Sequence, residues 1–226
     1  MTNRPPVASN RQLSRYDSVV TDYLPAYYDP MGTQNVTAAI CQELERQPLV
    51  SLESEVSRFD GSGLYAIYYC HGGTLVLYAP IKNLKIPVYV GQALSHNSAT
   101  GVATRDRSPL WRRVRDHRRS IDGAGLPAGE FSVRLLRLPD VHADLGENGL
   151  RVFYQPVWNA ILKGFGSHEQ GSTTRTSGRS PWDTVHPGRS RTFGSEAHDR
   201  DKLVKQAEDH IARQVASYGS APWQQG

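Results

Sequence analysis

Gly63-Leu64-Tyr65-Ala66-Ile67-Tyr68-Tyr69 is the stretch on which the fold turns. It follows the turn-forming Asp60-Gly61-Ser62, and its aromatic and β-branched side chains favour a strand. A second run of the same character, Ile86-Pro87-Val88-Tyr89-Val90, closes on Gly91. Between them, His71-Gly72-Gly73 turns the chain into Thr74-Leu75-Val76-Leu77-Tyr78, which reads as a further strand. Strands this closely spaced predict an antiparallel meander, to which Phe131 through Leu138 adds one more strand, stopped by Pro139.

Helices surround this centre. Thr33-Gln34-Asn35 reads as the cap of a short helix with Val36, Ala39, Ile40 and Leu44 on one face, ended by Pro48. Residues 92–108 have loop composition. Ser108-Pro109 starts a helix reaching Ile121, with Leu110, Val114, His117 and Ile121 facing inward. Another helix is predicted from about Leu145-Gly146-Glu147, broken at Pro156 and resumed over 157–162. Residues 166–194 are glycine- and serine-rich, with almost no aliphatic side chains, and read as a flexible loop. A last helix spans 195–218, with Leu203, Ala207, Ile211 and Val215 as its stripe. The expected organisation is an α/β (α+β) fold in which helices flank a small mixed or antiparallel sheet. An arm and short helix occupy residues 1–55, a core 56–165, and a loop–helix extension 166–226.

The chain has 226 residues and only two cysteines, Cys41 and Cys70, which suits a reducing compartment. No apolar run approaches the ~18 residues that span a bilayer. Met1-Thr2-Asn3-Arg4-Pro5-Pro6 lacks the apolar stretch of a signal peptide, so a cytoplasmic location without membrane attachment is expected. The net charge of +4 is unevenly spread. Residues 105–119 hold Arg105, Arg107, Arg112, Arg113, Arg115, Arg118 and Arg119 against Asp106 and Asp116, leaving the remainder close to neutral. A cationic segment on a neutral body is the footprint of a polyanion partner.

Five side chains suit phosphodiester hydrolysis, which needs an aimed water, a stabilised phosphoryl charge and an assisted leaving group. Arg113 lies one helical turn before His117, so both share a face. The arginine fork grips a phosphate, and the imidazole can bond a tyrosine hydroxyl or the water. Tyr65 is a general base or water-orienting group, its phenolate made more accessible by a nearby guanidinium and a metal. Tyr89 is a second orienting hydroxyl. Glu147 is the one carboxylate assigned to a metal, a pattern that suits Mg2+ because magnesium keeps most of its waters.

These parts in this order resemble the GIY-YIG nuclease superfamily. Gly63-Leu64-Tyr65 and Tyr89-Val90-Gly91 match its two tyrosine strands, with leucine and valine where the family pattern has isoleucine. Arg113, His117, Glu147 and Asn159 match its arginine, histidine, metal-binding glutamate and asparagine. The 92–108 loop lengthens the usual spacing, so Arg112 or Arg115 competes with Arg113. Leu138 through Glu147, Gln155-Pro156-Val157-Trp158-Asn159 and Ser180-Pro181-Trp182-Asp183-Thr184-Val185-His186-Pro187-Gly188-Arg189 resemble one branch, the Type II restriction endonucleases that are isoschizomers of SacII.

The resemblance implies cleavage of double-stranded DNA at CCGCGG, one Mg2+ per site and a homodimer. It also implies a cognate methyltransferase in the same cell, with no stable complex between the two. A G·C target favours arginine forks on guanine. Arg175, Arg179, Arg189 and Arg191 are the candidate base contacts, and Arg112, Arg115 and Arg118 further DNA contacts. The rival readings are a structure-selective repair or homing nuclease on the same scaffold, and a non-catalytic nucleic-acid-binding protein.

Overall fold

The computed structural model describes residues 24–54, 56–82, 84–97, 100–166, 178–190 and 198–219, together with 221 and 223. Most of the expected N-terminal arm lies outside these residues, as do Arg175 and Arg191.

The sheet has four strands, β1 (Val50–Ser51), β2 (Gly63–Tyr69), β3 (Tyr89–Ala93) and β4 (Phe131–Arg137), in the order β1-β4-β2-β3. Every pairing is antiparallel. The arrangement is therefore not a sequential meander, because β4 inserts between β1 and β2. The deciding stretch becomes the central strand, paired on both sides and buried at all seven positions.

Two departures from the sequence reading have plain causes. The expected strand over 74–78 is instead a 3-10 turn, Val76–Ile81. Its approach is captured by side chains. The Glu130 carboxylate accepts the Gly73 and Thr74 amides at 3.2 and 3.1 Å, and the Tyr69 hydroxyl accepts that of Leu75 at 3.2 Å. Donors spent in this way cannot enter a ladder. Gly72 adopts φ 69°, and a Cβ there would overlap the Glu130 carboxyl. The second departure is β3, which begins at Tyr89 rather than 86, since Pro87 has no amide to donate.

Helix α1 (Thr33–Arg46) is capped by Gly32 rather than by a Thr33 or Asn35 side chain. Helix α2 (Pro109–Gly123) buries Leu110, Val114, His117 and Ile121 as its spacing predicts. Helix α3 (Asp140–Tyr154) starts five residues before the expected 145. Its first turn shows little apolar periodicity, and Val141 is left exposed. Gln155, at φ 45°, ends it before Pro156. Short helices α4 (Val157–Ala160) and α5 (Pro181–Val185) precede α6 (Arg200–Ala216), which Asp199 caps by accepting the Lys202 amide. Part of the stretch expected to be a loop, 178–190, is thus ordered and helical at its centre.

Alternation along β2 sorts the layers. Leu64 faces Ile40 of α1 and Gly146 of α3, where any Cβ would collide with both side chains. Tyr65 and Tyr69 face the other way. There His117 of α2, Tyr78, Trp158 of α4 and Phe131 form an aromatic layer, with ring centroids 5.2 to 5.8 Å apart. Helix α6 packs outside this layer, over the 3-10 turn and α5.

Glu130 anchors one end of the aromatic layer. Desolvation raises its carboxyl, but bonds from the Tyr69 hydroxyl at 2.6 Å and from Thr74 and Gly73 outweigh this and hold it at about 2. Because the folded value lies below the ordinary 4.5, the contribution is complete above that pH and disappears as the pH falls toward 2. Glu130→Gln is expected to cost about 1–3 kcal/mol at pH 7. Urea unfolding at a series of pH values should show the gap to wild type shrinking between about pH 4.5 and 2.

Candidate active site

Register brings the two signature tyrosines together. Tyr65 pairs with Gly91, and Tyr89 with Ile67, so the tyrosines are diagonal neighbours on one face with ring centroids 6.1 Å apart. Tyr65 belongs to the central strand and is buried, while Tyr89 on the edge strand is only partly covered. A Cβ at Gly91 would overlap the Tyr65 hydroxyl and come within 3.0 Å of the Tyr89 ring. Gly91 therefore provides space for two hydroxyl-bearing rings.

Helix α2 supplies the next two groups. His117 Nε2 shares a 2.6 Å hydrogen bond with the Tyr65 hydroxyl. The imidazole stacks on Phe165 at 4.5 Å and 18°, and meets the Tyr89 ring edge-on at 5.4 Å. Arg113, one turn earlier, donates to the Gly166 carbonyl at 3.5 Å. Its charge lowers the Tyr65 and Tyr89 hydroxyls and the Glu147 carboxyl, so it acts on the same cluster. The two competing arginines are engaged elsewhere. Arg112 pairs with Asp106 at 2.9 Å, and Arg115 lies over Trp111 at 4.5 Å.

Glu147 comes from α3, with 17% of its side chain exposed. Burial raises its carboxyl, and Asp144 adds to the effect. Arg151 at 3.8 Å, Arg113 and a hydrogen bond from Gln92 pull the other way without restoring the ordinary value. Asn159 does not face this cluster. Its amide pairs with Val90, accepting the backbone N–H at 2.8 Å and donating to the carbonyl at 2.9 Å. It thereby covers part of the open edge of β3 in place of a fifth strand.

Burial pushes the Tyr65 hydroxyl well above its ordinary value, and Tyr89 and Glu147 add to this against the opposing Arg113. Tyr89 is raised in the same way, by burial first and Glu147 second. Without a bound metal, Arg113 alone does not offset burial at either hydroxyl, and Tyr65 shares its hydrogen bond with His117.

A family model described as the Eco29kI GIY-YIG domain matches residues 57–218. The chain belongs to this GIY-YIG nuclease family. Among curated proteins none matches it. Membership makes it a nuclease with DNA as substrate and, as GIY-YIG nucleases generally do, a requirement for a divalent metal. No helix among the described residues is long and apolar enough to cross a membrane.

The donor set fits a hydrated divalent ion. Glu147 is a partly buried carboxylate, 17% exposed, whose charge acts on both the Tyr65 and Tyr89 hydroxyls. No cluster of three or more histidine, cysteine or acidic ligands forms among the described residues. Glu147 would thus be the protein ligand, with phosphate oxygens and water completing the shell.

The nuclease core contains groups the sequence reading passed over. Phe165 stacks on the catalytic candidate His117, Gly166 faces both Arg113 and the Tyr89 hydroxyl, and Gln92 bonds Asp144 at 3.1 Å beside Glu147. The glycine opening the serine-rich loop was the only local signal. Arg118 pairs with Asp122 at 3.7 Å on the outer surface of α2, and Arg179 is exposed at the start of the 178–190 segment. Arg189 requires correction as a base-reading arginine. Its side chain is 6% exposed and bonds Asp183 at 2.7 and 2.8 Å, leaving no edge for a guanine.

Gly91→Ala should leave the backbone path intact yet displace the Tyr65 hydroxyl. Cleavage is expected to fall about a hundredfold, with DNA affinity in calcium within about threefold of wild type, the pattern of lost positioning rather than lost binding. Single-turnover cleavage and a gel-shift titration measure the two quantities.

Proposed function

We propose that this GIY-YIG nuclease is a Type II restriction endonuclease that hydrolyses both strands of DNA at CCGCGG. Its nuclease chemistry is carried by the 2.6 Å bond between Tyr65 and His117 within the field of Arg113 and Glu147, and its target by the resemblance of residues 180–189 to the CCGCGG-cutting branch. Five side chains, Tyr65, Tyr89, Arg113, His117 and Glu147, from two strands and two helices rarely converge without a chemical reason, and this set matches the needs of phosphoryl transfer.

In this proposal Tyr65 orients the attacking water. Its oxygen accepts the water proton while its own passes to His117 Nε2, so no phenolate accumulates in the buried pocket; as the water oxygen bonds phosphorus, the ester P–O bond breaks and the departing oxygen takes a proton from solvent. Tyr89, nearer solvent, aligns the phosphate or the water. Arg113 holds the scissile phosphate and stabilises charge developing on its oxygens. Glu147 holds a single divalent ion, which when bound supplies positive charge against the phosphoryl oxygens. Asn159 acts through the β3 backbone, keeping Tyr89 and Gly91 in register. The palindrome supports a homodimer, since twofold DNA presents equivalent phosphates to a twofold protein.

Plasmids with and without CCGCGG, incubated with magnesium, should differ: the first yields discrete fragments and the second stays uncut. Equal cutting of both would favour a structure-selective nuclease. Tyr65→Phe, which removes only a hydroxyl, is expected to slow cleavage about 10²–10⁴-fold. Glu147→Gln should abolish cleavage while preserving DNA binding in calcium. Near-wild-type turnover by either variant would remove that residue from the mechanism.

A further inference from the structure

We propose that the buried Asp183–Arg189 pair is the positioning device of the active site, orienting His117 through the segment 164–166. This rests on the reading of Tyr65 and His117 as a catalytic pair.

The pair sits in the α5 segment, outside the residues that carry the GIY-YIG signature. Asp183 is 2% exposed at its side chain and Arg189 6%. Their contact is a two-pronged fork, Nε to Oδ1 at 2.7 Å and Nη2 to Oδ2 at 2.8 Å. Ser180 locks the acid from behind, its hydroxyl donating to Oδ2 at 2.6 Å. Arg189 also lies over the Trp182 ring at 4.5 Å. An ion pair that needed only mutual charge compensation would be complete at this point.

Arg189 instead spends its two shorter remaining donor contacts on one stretch of backbone. Nη1 donates to the Phe165 carbonyl at 3.0 Å and, more weakly, to the Ser120 hydroxyl at 3.5 Å. Nη2 donates to the Gly164 carbonyl at 3.1 Å. All the N–H groups of the guanidinium are therefore committed. The held stretch is the wall of the catalytic cluster. The Phe165 ring lies flat on His117 at 4.5 Å and edge-on to Tyr89 at 5.0 Å. The next residue, Gly166, accepts from Arg113 through its carbonyl, and a Cβ there would strike the Tyr89 hydroxyl. One guanidinium thus fixes the neighbours of His117, Arg113 and Tyr89 without touching any reacting atom.

The choice of arginine follows. Its rigid planar fork satisfies two carboxylate oxygens and two carbonyls at once, whereas a lysine ammonium cannot hold all four in one geometry. Arg189 and Phe165 are positioning residues, and small displacements of a catalytic imidazole reduce turnover more than binding.

The test compares Arg189→Lys, Phe165→Leu and His117→Gln with wild type. It measures kcat and KM for cleavage, DNA affinity in calcium, and the His117 ring-proton resonances. Phe165→Leu removes the stack with the ion pair intact, so it decides the matter if Arg189→Lys fails to fold. Arg189→Lys and Phe165→Leu are each expected to lower kcat about 10–100-fold, with KM and DNA affinity within about threefold. Both should shift the His117 ring protons downfield as ring-current shielding is lost. Wild-type kcat and unmoved resonances in a folded variant would overturn the proposal, as would a loss confined to DNA affinity. If His117→Gln cleaves normally, the catalytic pair itself is wrong. If it is inactive while the other two variants cleave normally, only the positioning role fails.

Discussion

The hydrogen bond between Tyr65 and His117 joins the central strand to α2 at a point shielded from solvent, and much of the structure serves to keep it there. A buried phenol and imidazole are costly unless each finds a partner, because nothing in the surroundings replaces lost water. Pairing them solves that problem and tolerates little error in angle or depth. The surrounding features follow from this constraint: a glycine opposite Tyr65, an aromatic ring flat on the imidazole, and a central strand paired along both edges.

The cluster is graded by depth. Tyr65 and His117 form the floor, while Tyr89, Arg113 and Glu147 are only partly buried. Such grading suits chemistry on a large anionic substrate that docks from outside. Groups that exchange protons benefit from a dry, fixed environment, whereas groups that meet phosphate and metal must be reachable. The Glu147 carboxyl is raised chiefly by burial, against the lowering effect of Arg151 and Arg113. The other α2 arginines are engaged outside the cluster: Arg112, Arg118 and Arg119 hold ion pairs near the surface, each worth at most about 1 kcal/mol.

Parts of this were legible in the residues. The tyrosine tripeptides marked two strands of the sheet, and the spacing of Leu110, Val114, His117 and Ile121 placed His117 on the inner face of α2. The errors fell where side chains override backbone propensity. Residues 74–78 have strand composition, but Glu130, more than fifty residues away, takes the donors a strand needs. Arg189 lies among glycine and serine like a solvent-facing loop arginine. Only the folded chain brings Asp183, Gly164 and Phe165 around it.

Local pattern, read along the chain, determined most of the principal strands and helices and which chemical groups are available, because periodicity and turn chemistry act over a few residues. Tertiary structure alone decided that Arg113 rather than its neighbours joins the cluster, that Asn159 braces an edge strand, and that an apparent DNA-reading arginine is buried in an ion pair. Those outcomes depend on sheet register and on competition among distant donors and acceptors for a limited set of buried partners, which appears only when the chain closes on itself.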